Sequence, residues 1–390
     1  MRIVDVCAHY SPQGGGVRTY IHQKLAAAER FGQEVIVVAP GEEARTQWFG
    51  AQARIEFVPA PKLPLDRNYH YFPGDGVLHG VLDRLQPDFV EAAAPWRSPA
   101  EVASWPGPAP RALVMHSEPL AAFAYRWFED VASRPTIDRG FSRYWKHLRS
   151  LDRQFDAVVS ASPSLTRRLR AGGLTNLVTL PMGVADGPFS PGLRDPALRA
   201  ELLRRCRLGP DAVLLLGVGR LSAEKRWPMV VAAAQAAGLE RPIGLLLIGD
   251  GPRARQVRKS IGPNPHIRLL GRVGDRNLLA RMLASADALI HGCEAETFSI
   301  VAAEARASGL PLIVPDEGGA ADQVQDGTGE LYAAADAASA ARAIVRLCDT
   351  LPQHRLNAAA AATSVRTMDD HFAELFKLYE RLASGHRLAA

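Results

Sequence analysis

The stretch 291–315, HGCEAETFSIVAAEARASGLPLIVP, predicts the end of a strand, a loop, an alanine-rich helix and a second strand. Glu296 lies in the loop, and Glu304 lies inside a helix that is expected to begin near Phe298 or Ser299. Open α/β sheets bind ligands at the carboxyl edge of their strands, where helix N-termini also point. Both carboxylates are therefore placed to accept hydrogen bonds from ligand hydroxyls. Two glutamates at this spacing are also compatible with a solvated surface helix. The surrounding sequence is needed to distinguish a ligand site from such a helix.

Length and composition indicate a globular protein of more than one domain. The chain has 390 residues, of which 47% are hydrophobic and 22% charged, so two or three domains with sizeable cores are expected. Its four cysteines are far apart and form no CxxC pair, which argues against a disulfide framework or a structural zinc site. The N-terminus has no signal-peptide pattern, and no apolar run reaches the ~18 residues that span a bilayer. We expect a cytoplasmic protein, either free or peripheral on the inner face of the cytoplasmic membrane.

Positive charge is concentrated in one part of the chain. The net charge is +5, whereas residues 134–170 alone hold nine Lys or Arg against three Asp. Aromatic residues are interleaved with these cations over residues 123–149. Such a segment suits an anionic lipid surface or a phosphate-bearing acceptor. The alternative is an arginine-rich solvated helix whose aromatic side chains pack inward, and the sequence leaves both open.

Strands and helices alternate along two stretches that a linker separates. Strand patterns in the first stretch include RIVDVCAH, EVIVVAP, PDFVEAA and RALVMHSE, and those in the second include AVLLLGVG, IGLLLIGD, ALIHG and LPLIVP. Runs that are apolar on both faces indicate parallel sheets covered by helices on each side. PMGVADGPFSPGLRDP, from residue 181, has linker composition. We predict an α/β protein with two Rossmann-like doubly wound domains, residues 1–182 with about 366–390, and residues 183–365. The last apolar-periodic segment, 367–382, is expected to return to the first domain.

Glycine and cationic residues follow the first strand of each predicted domain. The run 14–16, GGG, precedes a helix, and glycine there lets the backbone approach an anion at the helix N-terminus. In GVGRLSAEKRW, Arg220 and Lys225 are five residues apart around a short loop, and both can converge on one phosphate group. A short glycine loop alone is a weak signal, and Lys225 could instead pair with Glu224. The pattern GxxxxGK[ST] does not occur, which disfavours P-loop phosphoryl transfer.

Further candidates lie at the ends of other strands. Gly249, in IGDGP, and Val273, in LLGRV, come at neighbouring strand ends, where glycine could admit a flat nucleobase; alternatively, GDGP is simply an efficient turn. The glycines of EGGAADQVQDG, from residue 317, are predicted to open a helix whose N–H groups bind an anion. His116 ends a strand, although a lone histidine is usually structural or solvated. Neither GxSxG nor HExxH occurs, so hydrolase chemistry has no support.

Taken in order, these motifs extend over nearly the whole chain: GGG, MHSE, LPMGVADGPFSP, GVGRLSAEK, IGDGP, LLGRV, the glutamates of 291–315 and EGGAADQVQDG. Together they resemble the retaining glycosyltransferases of family 4, which have the GT-B fold. The resemblance implies two domains facing a central crevice, with the acceptor held mainly by the first domain and a UDP- or GDP-linked sugar held mainly by the second. It implies metal-independent transfer of a hexose-type sugar to a hydroxyl acceptor, for which a lipid or a cell-envelope glycan precursor is one candidate. No cofactor and no nucleic-acid partner is expected.

The resemblance also implies a role for each site residue. By resemblance, the catalytic residues are His116, Arg220, Lys225 and Glu296. The donor-binding residues are Gly15, Gly16, Gly219, Arg220, Lys225, Gly249, Arg272, Val273, Glu296, Thr297, Phe298, Ser299, Ile300 and Glu304. The cationic pair and the first glycines would neutralise the departing diphosphate, Glu304 would bind the ribose hydroxyls, and Glu296 would bind those of the donor sugar. Val273 and its neighbours would meet the base, and His116 would contact the donor sugar near the reacting carbon.

Four positions depart from the family pattern. The family often has glycine where this chain has Thr297 and Ser299, glutamate at Asp322 and asparagine at Met182. These departures bear on the identity of the donor and remove no charged phosphate or ribose ligand. Two other functions remain as alternatives: a catalytically silent nucleotide-sugar binding or scaffold protein, and a GT-B nucleotide-sugar epimerase. The intact charges at 220, 225, 296 and 304 argue against the silent protein.

Overall fold

The computed structural model describes residues 1–8, 10, 16–63, 66–74, 76–93, 95, 97–128 and 131–385. The chain divides into two compact units. The first comprises Met1–Leu120, Trp127–Pro181 and Met368–Ala390, and the second comprises Ala121–Arg126 and Met182–Thr367. The chain therefore completes the second unit before it returns to the first.

Strands and helices alternate in both units because apolar runs alternate with amphipathic segments. The strands are β1 Arg2–Cys7, β2 Glu34–Gly41, β3 Arg45–Trp48, β4 Ala53–Pro59, β5 Lys62–Leu63, β6 Asp66–His70, β7 Phe89–Ala93, β8 Arg111–Met115, β9 Ala157–Ser160, β10 Leu177–Thr179, β11 Val213–Val218, β12 Ile243–Ile248, β13 Ile267–Gly271, β14 Ala288–Ile290, β15 Leu312–Pro315 and β16 Gly329–Tyr332. The helices are α1 Gly16–Arg30, α2 Val77–Leu85, α3 Arg97–Ser104, α4 Tyr125–Phe128, α5 Arg134–Gly140, α6 Ser142–Asp152, α7 Pro163–Ala171, α8 Pro196–Arg205, α9 Trp227–Ala237, α10 Ala254–Ile261, α11 Arg276–Ser285, α12 Ile300–Ala307, α13 Ala337–Asp349, α14 Leu351–Ala361 and α15 Met368–Ala383.

Each unit is built on a parallel sheet. In the first unit the strand order is β10-β9-β8-β7-β1-β2-β4-β3, and β3 pairs antiparallel with β4 at one edge. In the second unit the order is β13-β12-β11-β14-β15-β16. Strands such as β12 are buried along their whole length, as expected for strands with helices on both faces. The predicted α/β fold class is thereby confirmed.

Several elements differ from the sequence-based expectation. The edge strand β3, the two-stranded hairpin of β5 and β6, and β16 were not predicted. The helix predicted after Gly318 and Gly319 is wrong, because the segment forms only a 3-10 turn, Ala321–Gln323. Gly318 has φ of +81°, and a Cβ added there would lie 2.3 Å from the carbonyl oxygen of Glu294. These glycines therefore serve close packing against the loop that carries Glu296.

The helix α15 belongs to the first unit and buries one apolar face there. Its buried side chains include Phe372, Leu375, Phe376 and Tyr379. The ring of Tyr379 stacks on Phe89 of β7, with 4.1 Å between the ring centroids. None of the helices in the described ranges combines the length and apolarity needed to cross a bilayer.

A buried ionic cluster occupies the centre of the first unit. Lys24 of α1 donates to the carboxylates of Asp5 on β1, at 2.9 Å, and of Glu91 on β7. Tyr379 of α15 donates its hydroxyl to Glu91 Oε2 at 2.6 Å. All four side chains are fully buried. Asp5 and Glu91 are register partners on adjacent strands, so two carboxylates share one ammonium group.

Burial of this cluster increases the proton affinity of one of its carboxyl groups, although the Lys24 ammonium opposes this effect. Burial, reinforced by the charge of Glu91, raises the pKa of the Asp5 carboxyl to about 7. Folded Asp5 therefore holds a proton more tightly than unfolded Asp5, whose pKa is about 4. Stability from this group is fully present below about pH 4 and is lost as the pH rises toward about 7.

We predict that Asp5→Asn removes this pH dependence, because the amide resembles the neutral carboxyl. Between about pH 4 and pH 7 the unfolding free energy of the wild type should fall relative to that of the variant, by on the order of 1 kcal/mol per pH unit. Thermal and denaturant unfolding of the full chain across this range measures the difference. Glu43→Gln, which changes an exposed carboxyl of the same unit, is the control. Parallel pH profiles for Asp5→Asn and the wild type would contradict the prediction.

Candidate active site

The loop after β11 carries the predicted cationic pair. Gly219 and Arg220 follow the strand, and a 3-10 turn, Ala223–Lys225, leads into α9. The indole N–H of Trp227 donates to the carbonyl of Arg220 at 2.9 Å, and a Cβ added to Gly219 would lie 3.3 Å from the same indole. This ring fixes the loop at the start of α9. The side chain of Arg220 is exposed, at the carboxyl edge where α/β sheets bind ligands.

Lys225 pairs with Glu296, and the alternative pairing with Glu224 is not formed. The Lys225 ammonium donates to Glu296 Oε1, and His291 Nε2 lies 3.1 Å from the same oxygen. Glu224 instead accepts from the Ser222 hydroxyl. The structure therefore joins two residues that are 71 positions apart in the sequence, one predicted to bind phosphate and the other predicted to bind sugar.

Electrostatics keep both members of this pair charged. Burial alone would raise the pKa of the Glu296 carboxyl, but Lys225 and His291 hold it well below its usual range. Burial alone would lower the pKa of the Lys225 ammonium, but Glu296 keeps it above its usual value. Burial lowers the pKa of His291, so its ring is neutral at physiological pH. The pair is thus an ion pair in which the opposite charges of Lys225 and Glu296 neutralise each other.

Neighbouring residues that the sequence reasoning missed hold this couple in place. Arg226, in the left-handed region at φ of 47°, donates Nε to both carboxylate oxygens of Glu294, at 2.9 and 3.0 Å. The hydroxyl of Tyr332 on β16 donates to the carbonyl of His291 at 2.5 Å. These contacts hold the segment that directly precedes Glu296 in the sequence. Arg226 directly follows Lys225, and this position beside a predicted site residue was the available signal in the sequence.

His291, Cys293 and Glu296 form a group with possible metal ligands. One ligand atom from each lies within 4.8 Å of the others. The Glu296 oxygen already accepts from the Lys225 ammonium, and burial raises the pKa of the Cys293 thiol. A protonated thiol and an adjacent ammonium are poor surroundings for a divalent cation. The residues present therefore fit an anionic or hydroxylated ligand better than a metal ion.

The loop between Glu296 and α12 contains a strained residue. Ser299 has φ of 71° and ψ of 81°, a conformation that favours glycine over residues with a Cβ. Its hydroxyl is buried without a hydrogen-bond partner within the described ranges. The side-chain amide of Gln323 donates to the carbonyls of Phe298 and Ser299. Ser299, where the family often has glycine, thus has a backbone conformation that favours glycine.

The helix α12 begins at Ile300 and places Glu304 at its buried face. Arg276, at the first residue of α11, pairs with Glu304 at 2.9 Å, and its guanidinium lies 4.9 Å from the centre of the Phe189 ring. Burial raises the pKa of the Glu304 carboxyl, and Arg276 opposes the shift. The carboxylate predicted to bind ribose therefore meets an arginine that sequence reasoning did not connect to it. The sequence alone could not reveal this pairing, because the partners are 28 positions apart.

The other predicted donor residues lie on loops of the same unit. A Cβ added to Gly249 would lie 1.9 Å from the carbonyl oxygen of Gly219, so this glycine is required where the loops after β11 and β12 pack together. Arg272 is exposed and Val273 is half-buried, just after β13. Thr297 is half-buried and Phe298 is buried. The structure thus gathers these positions on loops at the carboxyl ends of the central strands and of the neighbouring β13.

Gly16 and His116 are the predicted site residues of the first unit that the structure describes. Gly16 is the first residue of α1, whereas Gly15 lies outside the described residues. His116 directly follows β8, and its ring packs edge-on against Tyr20, with 4.7 Å between centroids. The Tyr20 hydroxyl in turn lies 3.0 Å from His371 Nε2 of α15. The orientation of His116 therefore depends on a ring that the last helix supports.

The basic and aromatic stretch separates into an internal part and an exposed part. Arg168 forms a bidentate salt bridge with Asp138, with hydrogen bonds of 2.8 and 2.9 Å, and its guanidinium lies over the ring of Trp145. Trp127 is 63% exposed and Val131 is 81% exposed. Between residues 123 and 149, the exposed cations are Arg139, Arg143 and Lys146. Inward packing, the alternative considered above, therefore accounts for only some of these residues.

Comparison with known families supports the sequence resemblance. Residues 14–186 match the family described as Glycosyltransferase Family 4, and residues 212–350 match the family described as Glycosyl transferases group 1. A GDP-mannose-dependent alpha-(1-6)-phosphatidylinositol dimannoside mannosyltransferase of Mycobacterium tuberculosis is 30% identical over 321 residues, which cover 80% of this chain and 79% of the relative. A GDP-mannose-dependent alpha-mannosyltransferase of Corynebacterium glutamicum is 27% identical over 85% of this chain and 76% of that relative.

Solved structures agree on the fold. Sucrose-phosphate synthase from Thermosynechococcus elongatus superposes with a TM-score of 0.76 over 99% of this chain and 100% of that chain, at 20% sequence identity. The similarity at this identity concerns the fold alone. The predicted GT-B architecture is confirmed by it, together with the two parallel-sheet units.

We predict that Ser299→Gly stabilises the protein. Relief of the left-handed strain, which is about 1–2 kcal/mol, should exceed the entropic cost of glycine, about 0.4–1 kcal/mol. Denaturant unfolding should therefore show a gain of about 1 kcal/mol. Ser308→Gly is the matched control, because Ser308 has φ of −84° and its hydroxyl donates to the carbonyl of Glu304; it should destabilise. A loss of stability in Ser299→Gly would contradict the strain argument.

Proposed function

The chain belongs to the family 4 glycosyltransferases, is a hexosyltransferase-type enzyme with the GT-B fold, and from this premise we propose how it acts. It transfers a hexose from a nucleotide-diphosphate sugar to a hydroxyl acceptor, with retention of configuration and without a metal ion. GDP-mannose is the favoured donor, because the relatives described above are named for it. The relatives are also transferases, which favours transfer over a silent scaffold or an epimerase.

The observation that carries the proposal is the set of charges around the loop after β11. Arg220 is exposed at the carboxyl edge of the sheet, and Lys225 lies five residues further on, bonded to Glu296. A departing diphosphate develops negative charge, and preorganised cations stabilise such charge without a metal. The donor's diphosphate would therefore take the place of Glu296 as the partner of Lys225.

Release of Glu296 by Lys225 would supply the sugar-binding group. In the structure, Glu296 keeps a second partner in His291, at 3.1 Å, so it stays oriented when the ammonium turns to phosphate. Its carboxylate can then accept hydrogen bonds from sugar hydroxyls. Phosphate binding and sugar binding are thereby linked through one shared pair, and Glu304 is left to accept from the ribose once Arg276 moves aside.

Retention needs no protein nucleophile in this arrangement. The acceptor oxygen forms a bond to the anomeric carbon on the face from which the diphosphate leaves, and the bond from that carbon to the phosphate oxygen breaks. The departing phosphate oxygen takes the proton of the acceptor hydroxyl. The first unit would bind the acceptor, and the second unit would bind the donor. His116 and the first turn of α1 are the proposed contributions of the first unit to the donor.

A lipid-linked acceptor is proposed on two grounds. The name of the mycobacterial relative includes phosphatidylinositol dimannoside. In this chain, Trp127, Phe128 and Val131 form an exposed apolar group. The Phe128 ring lies 6.4 Å from Phe141, at the junction of α5 and α6, where the exposed cations follow. Apolar side chains flanked by cations suit the surface of an anionic membrane. We therefore propose that the protein is peripheral on the inner face of the cytoplasmic membrane.

We predict that GDP-mannose is turned over in preference to UDP- and ADP-sugars, and that Arg220→Ala and Lys225→Ala each lower kcat by on the order of 10²-fold or more. Release of GDP in the presence of a mannose-accepting phosphoinositide measures the reaction. Lys259→Ala, which removes an exposed cation from α10 of the same unit, is the control. Near-normal turnover in both site variants would exclude this mechanism, and binding of every donor without turnover or slow hydrolysis would support the scaffold.

We predict that the protein co-sediments with phosphatidylglycerol vesicles at low salt and that the double variant Trp127→Ser, Phe128→Ser binds at least about tenfold more weakly, because buried apolar area is lost. Raising the ionic strength should weaken binding of the wild type as the cations are screened. Leu239→Ser removes a 90% exposed apolar side chain from the second unit and is the control. Equal loss in the control and the double variant would contradict a specific membrane surface.

A further inference from the structure

Arg276 stands at an unfavourable position for a cation. It is the first residue of α11, where the partial positive charge of a helix N-terminus disfavours a positively charged side chain. Its guanidinium lies 2.9 Å from the carboxylate of Glu304 on α12. Among the residues that the structure describes, the Arg276 side chain has no other ion-pair or hydrogen-bond partner. Glu304 is therefore the group that orients this side chain.

Much of the Arg276 side chain is open to a ligand. It is 46% exposed, whereas the side chain of Glu304 is 5% exposed. A guanidinium carries five N–H donors in a planar fork, and the shortest contact with Glu304 is made through one nitrogen, Nη2. Several donors therefore remain for a ligand that offers acceptors in one plane.

Arg276 also belongs to the segment that is proposed to meet the nucleobase. The strand β13 ends at Gly271 and α11 begins at Arg276, so Val273 lies in the short connection between them. Val273 and Phe189 pack against the same hydrophobic cluster of the second unit, and the Arg276 guanidinium lies 4.9 Å from the centre of the Phe189 ring. The arginine is thus next to the position assigned to the base, while its partner Glu304 is assigned to the ribose.

A ribose can replace Arg276 as the partner of Glu304. Burial raises the pKa of the Glu304 carboxyl, and Arg276 opposes this shift. A buried carboxylate that loses a cation needs other donors. The 2′- and 3′-hydroxyls of a ribose supply two such donors, so the guanidinium can turn to other acceptors of the same ligand.

The acceptors on the base decide which nucleotide such an arginine favours. Guanine presents two neighbouring acceptors, N7 and O6, and this pair matches the guanidinium fork. Adenine places a donor, its N6 amino group, beside N7, and uracil offers only O4 on the corresponding edge. A guanidinium can therefore form two hydrogen bonds with guanine where it forms one with adenine or uracil.

We propose that Arg276 recognises the guanine of the donor, donating hydrogen bonds to N7 and O6 once Glu304 has turned to the ribose. This inference rests on the proposed function, because it requires that the second unit binds a nucleotide-diphosphate sugar. It adds the side chain that selects the base. The donor would then separate two ion pairs: its diphosphate and sugar would bind Lys225 and Glu296, and its base and ribose would bind Arg276 and Glu304.

The test is isothermal titration of the full chain with GDP, UDP and 7-deaza-GDP, in which a C–H group replaces N7. The wild type should bind GDP at least about tenfold more tightly than UDP and about fivefold more tightly than 7-deaza-GDP. Arg276→Ala should bind GDP about tenfold more weakly than the wild type does. It should bind UDP no more weakly, and it should no longer distinguish GDP from 7-deaza-GDP.

Two further variants separate the fork from the charge and from the helix. Arg276→Lys keeps a positive charge beside Glu304 but lacks the planar fork, so it should also lose the preference for GDP over 7-deaza-GDP. Arg281→Ala is the matched control, because Arg281 is another exposed arginine of α11 and pairs with Asp195 at 2.7 Å. It should bind all three nucleotides as the wild type does.

The pattern of losses distinguishes base recognition from a purely structural ion pair. An equal loss of GDP and UDP affinity in Arg276→Ala, or an unchanged preference for GDP over 7-deaza-GDP, would overturn the inference. If the wild type turns over a GDP-sugar in that case, the transferase remains. A GDP preference that depends on Arg276 in a protein without donor turnover would support the inference and overturn the proposed function. If the wild type binds none of the nucleotides, both are overturned. Arg276→Lys keeps the test decisive if Arg276→Ala does not fold.

Discussion

The first unit depends on the ammonium of Lys24 lying between two buried carboxylates. Moving ionised groups out of water costs several kcal/mol for each ion, and close pairing with hydrogen bonding offsets part of that cost. Asp5 and Glu91 face each other across β1 and β7, and Tyr379 of α15 donates its hydroxyl to Glu91 Oε2. The other oxygens, Asp5 Oδ1 and Glu91 Oε1, accept no hydrogen bond from the described residues. A shift of either strand, or loss of the helix, would leave a charge buried without its partner. The cluster therefore fixes the sheet register and the position of α15 together.

The second unit is organised instead by close contacts between loop backbones. Gly249 approaches the carbonyl of Gly219, and Gly318 approaches the carbonyl of Glu294, at distances that leave no room for a Cβ. These contacts hold the loops that carry Arg220, Lys225 and Glu296. Side-chain pairs such as Arg226 with Glu294 then orient individual groups. Gly318 and Gly319, which the sequence predicted to open an anion-binding helix, instead allow these loops to pack closely.

Patterns that depend on neighbours in the sequence were predictable, and those that depend on distant partners were not. Fully apolar runs such as IGLLLIG gave the central strands, whereas β3, with the exposed sequence RTQW, carries no such signal. Lys24 lies in a helix that looks amphipathic, so its complete burial could not be inferred. Arg276 and Glu304 meet only because α11 and α12 are neighbours. Ser299 is the opposite case, since its departure from a glycine pattern did mark the strained position.

The way α15 closes the first unit has a consequence for how the protein is made. Ribosomal synthesis delivers β1, α1 and β7 first, and Tyr379 appears only after the entire second unit. Until then Glu91 lacks its hydroxyl donor, and the face of the Phe89 ring that Tyr379 later covers is uncovered. The nascent first unit therefore remains incomplete and partly hydrated while the second unit folds. Because of this chain order, the second unit can complete its folding before the first unit does.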